Sequence, residues 1–388
     1  MPKISRRASQ TPSSKIRRVF NKSLGHDDWV KFTVGEPDFD TDQTIIEAAY
    51  QAALMGNTHY VHNAGISPLR QQLAKKFYED QHLTVNPETE LMVTNGGTEA
   101  IYLALQAIVE PGDEVIMPGP QWTPYPMLTT LNHGKAVICK VHEKDGFQYT
   151  EENLRRSITP NSRILILNSP CNPTGGMAGR STLEMVAKVA KEFDLWVLSD
   201  EVYEKLVYDG NEHISIASLP EMKERTIVIN SFSKSYAMTG WRVGFMMAPA
   251  ALMQVMVKLH ELETSCCNVP AQYAALAALN MDQVVTSRML EQYAKRREIL
   301  VKGLNRISGV SCVPPKGTFY AFANVKELGV PSDELVERMM DEVGLAVVPG
   351  TAFGEDGEGF LRFSFAVSEK TIEEGLERFE TFVKSLRQ

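Results

Sequence analysis

A lysine that follows a predicted strand is the first residue whose position suggests catalysis. Lys234 stands in a Ser-Phe-Ser-Lys-Ser run, directly after an apolar stretch that predicts a buried strand over 226–229. Parallel α/β sheets bind their ligands at the carboxyl ends of the strands. A lysine becomes a nucleophile when burial or a neighbouring cation lowers its pKa from about 10.4. Arg242 could supply that charge and bind a phosphate through two hydrogen bonds. The alternative is a solvent-exposed lysine in a polar loop.

A glycine-rich turn lies between a predicted strand over 90–94 and a predicted helix over 98–109. The turn carries Gly96 and Gly97, and Thr98 begins the helix. Glycines let backbone N–H groups approach an anion, and the N-terminus of a helix carries partial positive charge. The pattern therefore predicts a phosphate-binding turn. An ordinary strand–turn–helix junction with Thr98 as N-cap would have the same sequence.

Three further polar residues lie at the ends or edges of predicted strands. Asp200 follows the apolar strand 195–199, where a desolvated carboxylate stays ionised only beside a cation or a protonated ring nitrogen. Alternatively, Asp200 could be the N-cap of the next helix. Asn172 lies in a loop shaped by two prolines and two glycines, which presents it rigidly or simply forms a structural turn. Arg362 alternates with apolar residues and is either a carboxylate-binding arginine or a surface arginine.

These residues require a scaffold, and the hydrophobic pattern indicates an α/β fold. Helical patterns alternate with short β-branched runs, which indicates βαβ units and a mostly parallel sheet between helices. The predicted helices are 45–54, 68–78, 98–109 and 181–193. The seven predicted strands are 90–94, 114–117, 137–139, 164–167, 195–199, 226–229 and 242–246.

The pattern changes after residue 268. A long, mostly helical segment over 270–307 precedes predicted strands over 319–324, 346–348 and 361–365 and a helix over 368–386. This order predicts a separate, smaller α+β domain. We therefore expect a large domain over 41–284 and a small domain over 285–388. We expect the N-terminal arm, residues 1–40, to pack with the small domain because it has too few regular elements to fold alone.

Composition excludes several classes of protein. The chain has 388 residues and a formal net charge of −8, which argues against nucleic-acid binding. The longest apolar stretch, 243–257, is too short for a membrane span and contains Pro249 and Gln254. The basic N-terminus has no apolar core of a secretory signal. Five cysteines without a CxxC pair indicate a reducing compartment, so we expect a cytoplasmic protein. Neither the cysteines nor the scattered histidines follow a metal-ligand spacing, and no metal site is expected.

Taken together, these segments resemble the class I/II pyridoxal-phosphate (PLP) aminotransferases, the aspartate aminotransferase-like enzymes of fold type I. The most specific match is Ser231-x-Ser233-Lys234-x5-Gly240-Trp241-Arg242-x-Gly244. An Asn-Pro-Thr-Gly run at Asn172 and an Asp-Glu-x-Tyr run at Asp200 lie at the distances typical of the family. The resemblance covers nearly the whole chain from residue 30. It implies a large PLP-binding domain with a seven-stranded sheet and a small domain completed by the N-terminal arm.

The resemblance also implies roles in cofactor binding. Lys234 would form the internal aldimine with PLP and then act as the general acid/base at the substrate Cα. Asp200 would pair with the protonated pyridine nitrogen. Tyr203 and Asn172 would hydrogen-bond the ring hydroxyl, and Trp122 would stack on the ring. The phosphate would be held by Gly97, Thr98, Ser231 and Arg242.

Substrate binding and assembly follow from the same resemblance. Arg362 would bind the substrate α-carboxylate, assisted by Asn172 and the backbone at Gly35. Tyr60 would reach the phosphate in the partner subunit, so that a homodimer would share its active sites. No arginine lies in a motif that identifies a dedicated side-chain carboxylate site. The resemblance therefore implies aspartate, an aromatic amino acid or a related one as the donor, with an acceptor such as 2-oxoglutarate, and leaves the choice of donor open.

Three other functions are possible alternatives. A β-lyase of the cystathionine or cysteine-conjugate type would keep every catalytic residue named above. A PLP-binding regulator would need a DNA-binding domain, for which too few residues precede the family pattern. A nicotinamide dehydrogenase would need a GxGxxG spacing that the turn at Gly96 lacks.

Overall fold

A computed structural model of the chain describes residues 2–5, 8–9, 11 and 14–386. Its main feature is a seven-stranded sheet with strand order β2-β8-β7-β6-β5-β3-β4. All neighbours pair in parallel except β8, which is antiparallel to both of its neighbours. The strands are β2 (Leu91–Thr94), β3 (Glu114–Gly119), β4 (Lys135–Lys140), β5 (Ser162–Asn168), β6 (Trp196–Asp200), β7 (Thr226–Ser231) and β8 (Gly244–Met247). The predicted α/β fold class is confirmed.

Helices cover both faces of this sheet, which explains why its central strands are apolar throughout rather than alternating. Val197 of β6 packs with one group of helices and the adjacent Leu198 packs with another, on the opposite face. The helices of this part are α2 (Gln43–Leu54), α3 (Ser67–Gln81), α4 (Gly97–Ile108), α5 (Pro124–Leu131), α6 (Glu151–Ser157), α7 (Arg180–Glu192), α8 (Phe232–Ser235), α9 (Ala250–Thr264) and α10 (Val269–Asn280).

The C-terminal part forms a second core with the N-terminal segment. Its strands are β9 (Tyr320–Asn324), β10 (Leu345–Ala346), β11 (Val348–Pro349) and β12 (Phe360–Ser364), and its helices are α11 (Val284–Leu304), α12 (Ser332–Val343) and α13 (Glu369–Ser385). Strands β11, β12 and β9 form an antiparallel sheet. Strand β1 (Val30–Lys31) pairs in parallel with β10, and Phe32 is buried in the same core.

Helix α1 (Lys15–Lys22) lies against α12. Lys15 Nζ is 2.8 Å from Asp333 Oδ2, and Lys22 Nζ is 2.7 Å from Glu337 Oε2. These contacts and the β1–β10 pair attach the N-terminal segment to the C-terminal core. The proposed division of the chain at residue 285 stays a prediction. No helix in the described part of the chain has the length and apolarity that crossing a bilayer requires.

Several elements differ from the sequence-based expectation. The segment 270–307, predicted to be mostly helical, divides into the two helices α10 and α11. The apolar stretch 243–257 divides into β8 and α9, because Pro249 starts the helix as its N-cap. Helices α9 and α12, of 15 and 12 residues, were not predicted, and neither was the single turn α8. The short helices α1, α5 and α6 were not predicted either. They have only 8, 8 and 7 residues, too few turns for a clear 3.6-residue pattern.

Candidate active site

A cavity of about 930 Å³ lies at the carboxyl ends of the central strands, between the large sheet, the C-terminal core and α1. It brings together eleven of the twelve residues that the sequence analysis selected. They are Gly35, Gly97, Thr98, Trp122, Asn172, Asp200, Tyr203, Ser231, Lys234, Arg242 and Arg362. Tyr60 does not line this cavity and is 86% exposed on the same chain. The position of these residues follows from the sheet, whose strands β6 and β7 end at Asp200 and Ser231.

Lys234 lies on the short helix α8, directly after β7, and faces the cavity. Its Nζ donates a hydrogen bond to the Gly35 carbonyl oxygen over 2.5 Å. Burial, together with the charges of Arg362 and Arg242, lowers the pKa of Lys234 to about 8 despite the opposing charge of Glu36. About a tenth of a group with this pKa is a free amine at pH 7, which a surface lysine would not achieve. The site therefore holds a lysine suited to nucleophilic or proton-transfer chemistry.

Asp200 is a buried carboxylate without a cationic hydrogen-bond partner among the described residues. Its Oδ2 accepts a 2.5 Å hydrogen bond from the Tyr125 hydroxyl, and the Val202 N–H approaches Oδ1 at 3.4 Å. Burial raises the pKa of Asp200 to about 6, although the hydrogen bond from Tyr125 opposes that rise. A protonated heterocycle nitrogen at this position would restore the ionised form.

The glycine turn and Ser231 form a cradle for an anion. Gly96 has a φ of +83°. Helix α4 begins at Gly97, which lines the cavity, so the unpaired N–H groups of its first turn lie at the cavity wall. A Cβ on Gly96 would lie 2.6 Å from Arg242 Nη2, so a larger residue here would displace the guanidinium. Arg242 itself has a positive φ of 52°, a conformation that is costly for a side-chain-bearing residue and is common at functional sites. Backbone N–H groups, a hydroxyl and a guanidinium fit a phosphate.

Arg362 is 2% exposed and lacks a carboxylate partner among the described residues. Its Nη1 donates to Asn172 Oδ1 over 3.1 Å and its Nη2 donates to the Thr33 carbonyl oxygen over 2.9 Å. The Nε is buried and has no hydrogen-bond partner. The guanidinium lies 4.3 Å from the centre of the Tyr320 ring, and burial lowers its pKa. A buried, uncompensated cation with an unused donor fits an anionic ligand that enters the cavity.

Tyr203 and Asn172 line the same cavity as Lys234 and Arg362. The Tyr203 hydroxyl is 3.1 Å from the Tyr320 hydroxyl, and burial raises the pKa of Tyr203 well above its usual value. The Asn172 backbone N–H donates to Asn168 Oδ1 over 3.0 Å, which holds the loop in place. Trp122 borders the cavity, with its ring 5.2 Å from that of Tyr125.

Some lining residues were not singled out by the sequence analysis. Tyr125 contacts Asp200, but it lies in α5, a helix that the pattern did not reveal. Ser233 stood in a quoted motif and Tyr320 in a predicted strand, and neither was assigned a role. Helix α1 borders the cavity through residues that include Arg17, and no local signal in the sequence predicts that placement.

Comparisons with known proteins agree with this geometry. The sequence-family model of aminotransferase class I and II matches residues 27–379 of this chain. The aspartate aminotransferase of Pyrococcus abyssi is 41% identical over 96% of both chains. The aromatic-amino-acid aminotransferase 2 of Thermococcus litoralis is 39% identical over 98% of both chains. The structure of the Thermus thermophilus aspartate aminotransferase with maleate has a TM-score of 0.94 and 37% identity, covering 98% of this chain and 100% of that one.

Family membership also identifies the cofactor. Class I and II aminotransferases of the aspartate aminotransferase type use PLP, and the anion cradle, the buried lysine and the buried carboxylate fit its phosphate, aldehyde and ring nitrogen. The predicted resemblance and the predicted cofactor are therefore confirmed. The chain belongs to the class I and II aminotransferase family and is a PLP-dependent transaminase.

Proposed function

We propose that this protein transfers the amino group of an L-amino acid to a 2-oxo acid such as 2-oxoglutarate, with Lys234 as the group that moves the proton. The observation that carries the proposal is the position of Lys234, whose pKa is lowered to about 8 between two cationic sites. One site is the anion cradle with Arg242, and the other is Arg362. An amino acid anchored by Arg362 would present its Cα toward the lysine.

The residues around the lysine would hold PLP. When bound, this cofactor supplies an electron sink that stabilises negative charge at the substrate Cα. The phosphate would be bound by Gly97, Thr98, Ser231 and Arg242. Asp200 would bind the ring nitrogen, and Trp122 would cover the ring. The ring hydroxyl would be bound by Tyr203 and Asn172. Since Tyr125 donates to Asp200, it would keep that carboxylate ionised and correctly oriented.

Arg362 would bind the substrate α-carboxylate. Its two terminal nitrogens already hold Asn172 and the Thr33 carbonyl, so the arginine is fixed in place before the ligand arrives. A carboxylate would neutralise the buried cation at little cost in side-chain entropy. Once the α-carboxylate is fixed, the free amine of Lys234 can take the proton from the substrate Cα and return it at another atom.

The substrate side chain would extend toward helix α1. This helix contributes apolar groups, Ile16 and Phe20, and cationic groups, Arg17 and Arg18, to the cavity wall. Arg18 lies 3.5 Å from Glu337, whereas Arg17 forms no ion pair within the described ranges of the chain. We infer that Arg17 binds the side-chain carboxylate of dicarboxylic substrates and that the apolar groups contact aromatic ones. Both donor classes named for the relatives are therefore part of the proposal.

We further propose a cytoplasmic homodimer with shared active sites. Several large apolar side chains are exposed on α2 and the segments after it: Tyr50, Leu54, Met55 and Tyr60 are each more than half exposed. Leu262, at the end of α9, is 84% exposed. A patch of this kind is typical of a subunit interface. In a dimer, Tyr60 would be placed to reach the phosphate of the partner's cofactor.

Replacing the lysine tests the proposal. The Lys234→Ala variant should fold, bind PLP without the absorption band of the wild-type holoenzyme, and lose at least about a hundredfold in transamination rate, the usual contribution of general acid–base catalysis. Lys302→Ala, at an exposed position of α11, is the matched control and should behave as wild type. A Lys234→Ala variant that transaminates at the wild-type rate would refute the assignment.

A further inference from the structure

A cluster of three potential metal ligands lies outside the cavity, where the end of α9 meets the start of α4. It consists of Glu99, His260 and Cys267, whose ligand atoms all lie within 4.8 Å of one another. His260 and Cys267 are 0% and 1% exposed, and Glu99 is half-buried. None of these residues lines the catalytic cavity, and the proposed transamination uses none of them.

The hydrogen bonds of His260 indicate which ring nitrogen carries the proton in the neutral ring. Its Nδ1 lies 2.9 Å from the Asn63 carbonyl oxygen, which can only accept, so Nδ1 carries the proton in the neutral ring. In that tautomer Nε2 is the acceptor nitrogen, and it lies 3.1 Å from Thr264 Oγ1, 3.6 Å from Cys267 Sγ and 3.5 Å from Glu99 Oε2. Metal-binding histidines are commonly oriented in this way, by a backbone carbonyl on the nitrogen that does not bind the metal.

The spacing of the ligand atoms suits a tetrahedral zinc ion. Zinc binds thiolate sulfur at about 2.3 Å and imidazole nitrogen or carboxylate oxygen at about 2.0 to 2.2 Å. Tetrahedral angles then place sulfur and nitrogen about 3.5 Å apart, and nitrogen and oxygen about 3.3 Å apart. The separations of 3.6 and 3.5 Å require adjustments of only a few tenths of an ångström.

Hydrogen bonds fix the other two side chains of the cluster. The backbone N–H of Asn95 donates to Glu99 Oε2, and Asn95 Nδ2 donates to Glu99 Oε1 over 2.9 Å. The Cys267 thiol donates to the Val93 carbonyl oxygen over 3.3 Å. The carboxylate and the sulfur are therefore held beside the imidazole before any ion binds.

The backbone between the two helices brings Cys267 back toward His260. Ser265 has φ 62° and ψ −57°, and the Cys266 N–H donates to the Thr264 carbonyl oxygen over 2.7 Å. This is a γ-turn with positive φ, a rare and strained conformation. The turn reverses the chain within one residue after α9, which places the Cys267 thiol beside the preceding helical turn.

We propose that Glu99, His260 and Cys267 bind one Zn²⁺ ion, with water or the Thr264 hydroxyl as the fourth ligand. Thr264 Oγ1 lies 3.1 Å from His260 Nε2 and is near enough for that position. Zinc replaces the proton of the Cys267 thiol, which passes to the solvent buffer; no electron is transferred. The sulfur, nitrogen and oxygen donors together favour zinc over magnesium or calcium. Because Glu99 also accepts from the Asn95 N–H, the ion would brace the turn that forms the anion cradle.

The test measures zinc in the holoenzyme, purified without a histidine tag and kept reduced. The protein is incubated with excess ZnCl₂, desalted and analysed by plasma emission spectroscopy. We expect about one zinc per chain in the wild type and less than a tenth of that in Cys267→Ser and His260→Gln. Cys266→Ser, which changes the adjacent thiol outside the cluster, is the matched control and should retain the wild-type content. Bound-cofactor absorbance shows whether each variant is folded.

X-ray absorption spectroscopy of the zinc-loaded wild type keeps the proposal falsifiable if the variants do not fold. We expect one sulfur ligand at about 2.3 Å and two or three nitrogen or oxygen ligands at about 2.0 to 2.2 Å. A wild type that retains no zinc after desalting would overturn the proposal. So would a spectrum without a sulfur ligand, or a zinc content that is the same in folded Cys267→Ser as in the wild type.

Discussion

The hydrogen bond from Tyr125 to Asp200 makes a quantitative prediction about cofactor binding. The Tyr125 hydroxyl donates over 2.5 Å to a buried carboxylate whose pKa is about 6. A hydrogen bond to a charged group contributes about 1.5 to 3 kcal/mol, and one pH unit corresponds to about 1.4 kcal/mol. Tyr125→Phe should therefore raise the pKa of Asp200 by about 1 to 2 pH units. The direction is upward because the lost donor stabilised only the ionised form.

The consequence for PLP affinity depends on pH. If the ring nitrogen requires ionised Asp200, the ionised fraction at pH 7 falls from about nine-tenths to between about a half and a tenth. The dissociation constant for PLP should then rise about two- to tenfold at pH 7 and stay nearly unchanged at pH 9. Fluorescence titration of the apoenzyme with PLP at both pH values measures this difference.

A matched control separates the electrostatic effect from simple loss of a buried hydroxyl. Tyr149 is also buried, and its hydroxyl donates over 2.7 Å to the Ile166 carbonyl oxygen, without contact to Asp200. Tyr149→Phe should leave the pH dependence of PLP binding as in the wild type. Equal weakening of Tyr125→Phe at pH 7 and pH 9 would refute the reasoning, because a packing defect does not depend on pH.

Three further predictions concern substrates and assembly. Arg362→Ala should raise KM about ten- to a hundredfold for every amino acid alike in steady-state kinetics, since the α-carboxylate is common to all; an effect confined to dicarboxylic donors would contradict its role. Arg17→Ala should raise KM for aspartate and 2-oxoglutarate but not for phenylalanine. Arg18→Ala is its control, and an equal effect on both donor classes would exclude Arg17 as the side-chain ligand. If the chain forms the proposed dimer, Leu54→Glu should convert it to a monomer in sedimentation velocity, whereas Tyr78→Glu, at another exposed apolar position, should not. A Leu54→Glu variant that sediments as a dimer would contradict the proposed interface.

The site residues that could be predicted from the sequence are those that lie directly at the carboxyl ends of predicted strands. Lys234 and Asp200 follow apolar runs directly, and residues at the carboxyl ends of neighbouring parallel strands must converge. The turn at Gly96 lies beside Arg242 for another reason: β2 and β8 are antiparallel, so the carboxyl end of β2 meets the amino end of β8. The seven strands and the α/β class followed from the alternation of apolar runs and helical patterns. The spatial order of the strands and the antiparallel direction of β8 depend on packing, so they could not be predicted from this alternation.

The parts that were missed depend on contacts between distant segments. Tyr125, in the first turn of α5, donates a hydrogen bond to Asp200, which lies 75 residues further along the chain, and no local pattern encodes such a contact. Helix α1 borders the cavity because Lys15 and Lys22 pair with acidic residues of α12. The cluster proposed to bind zinc was not expected either. Its histidine and cysteine match no metal-binding motif, and its carboxylate comes from another helix.

The most direct test of the central claim is a visible absorption spectrum of the holoenzyme before and after addition of single amino acids without a 2-oxo acid. The claim predicts that aspartate and aromatic amino acids convert the absorption band of bound PLP to that of the amine form of the cofactor. One equivalent of 2-oxo acid should be released per subunit, without ammonia. A cofactor band that no amino acid converts, with ammonia and pyruvate released continuously from cystathionine, would contradict transamination and favour the β-lyase.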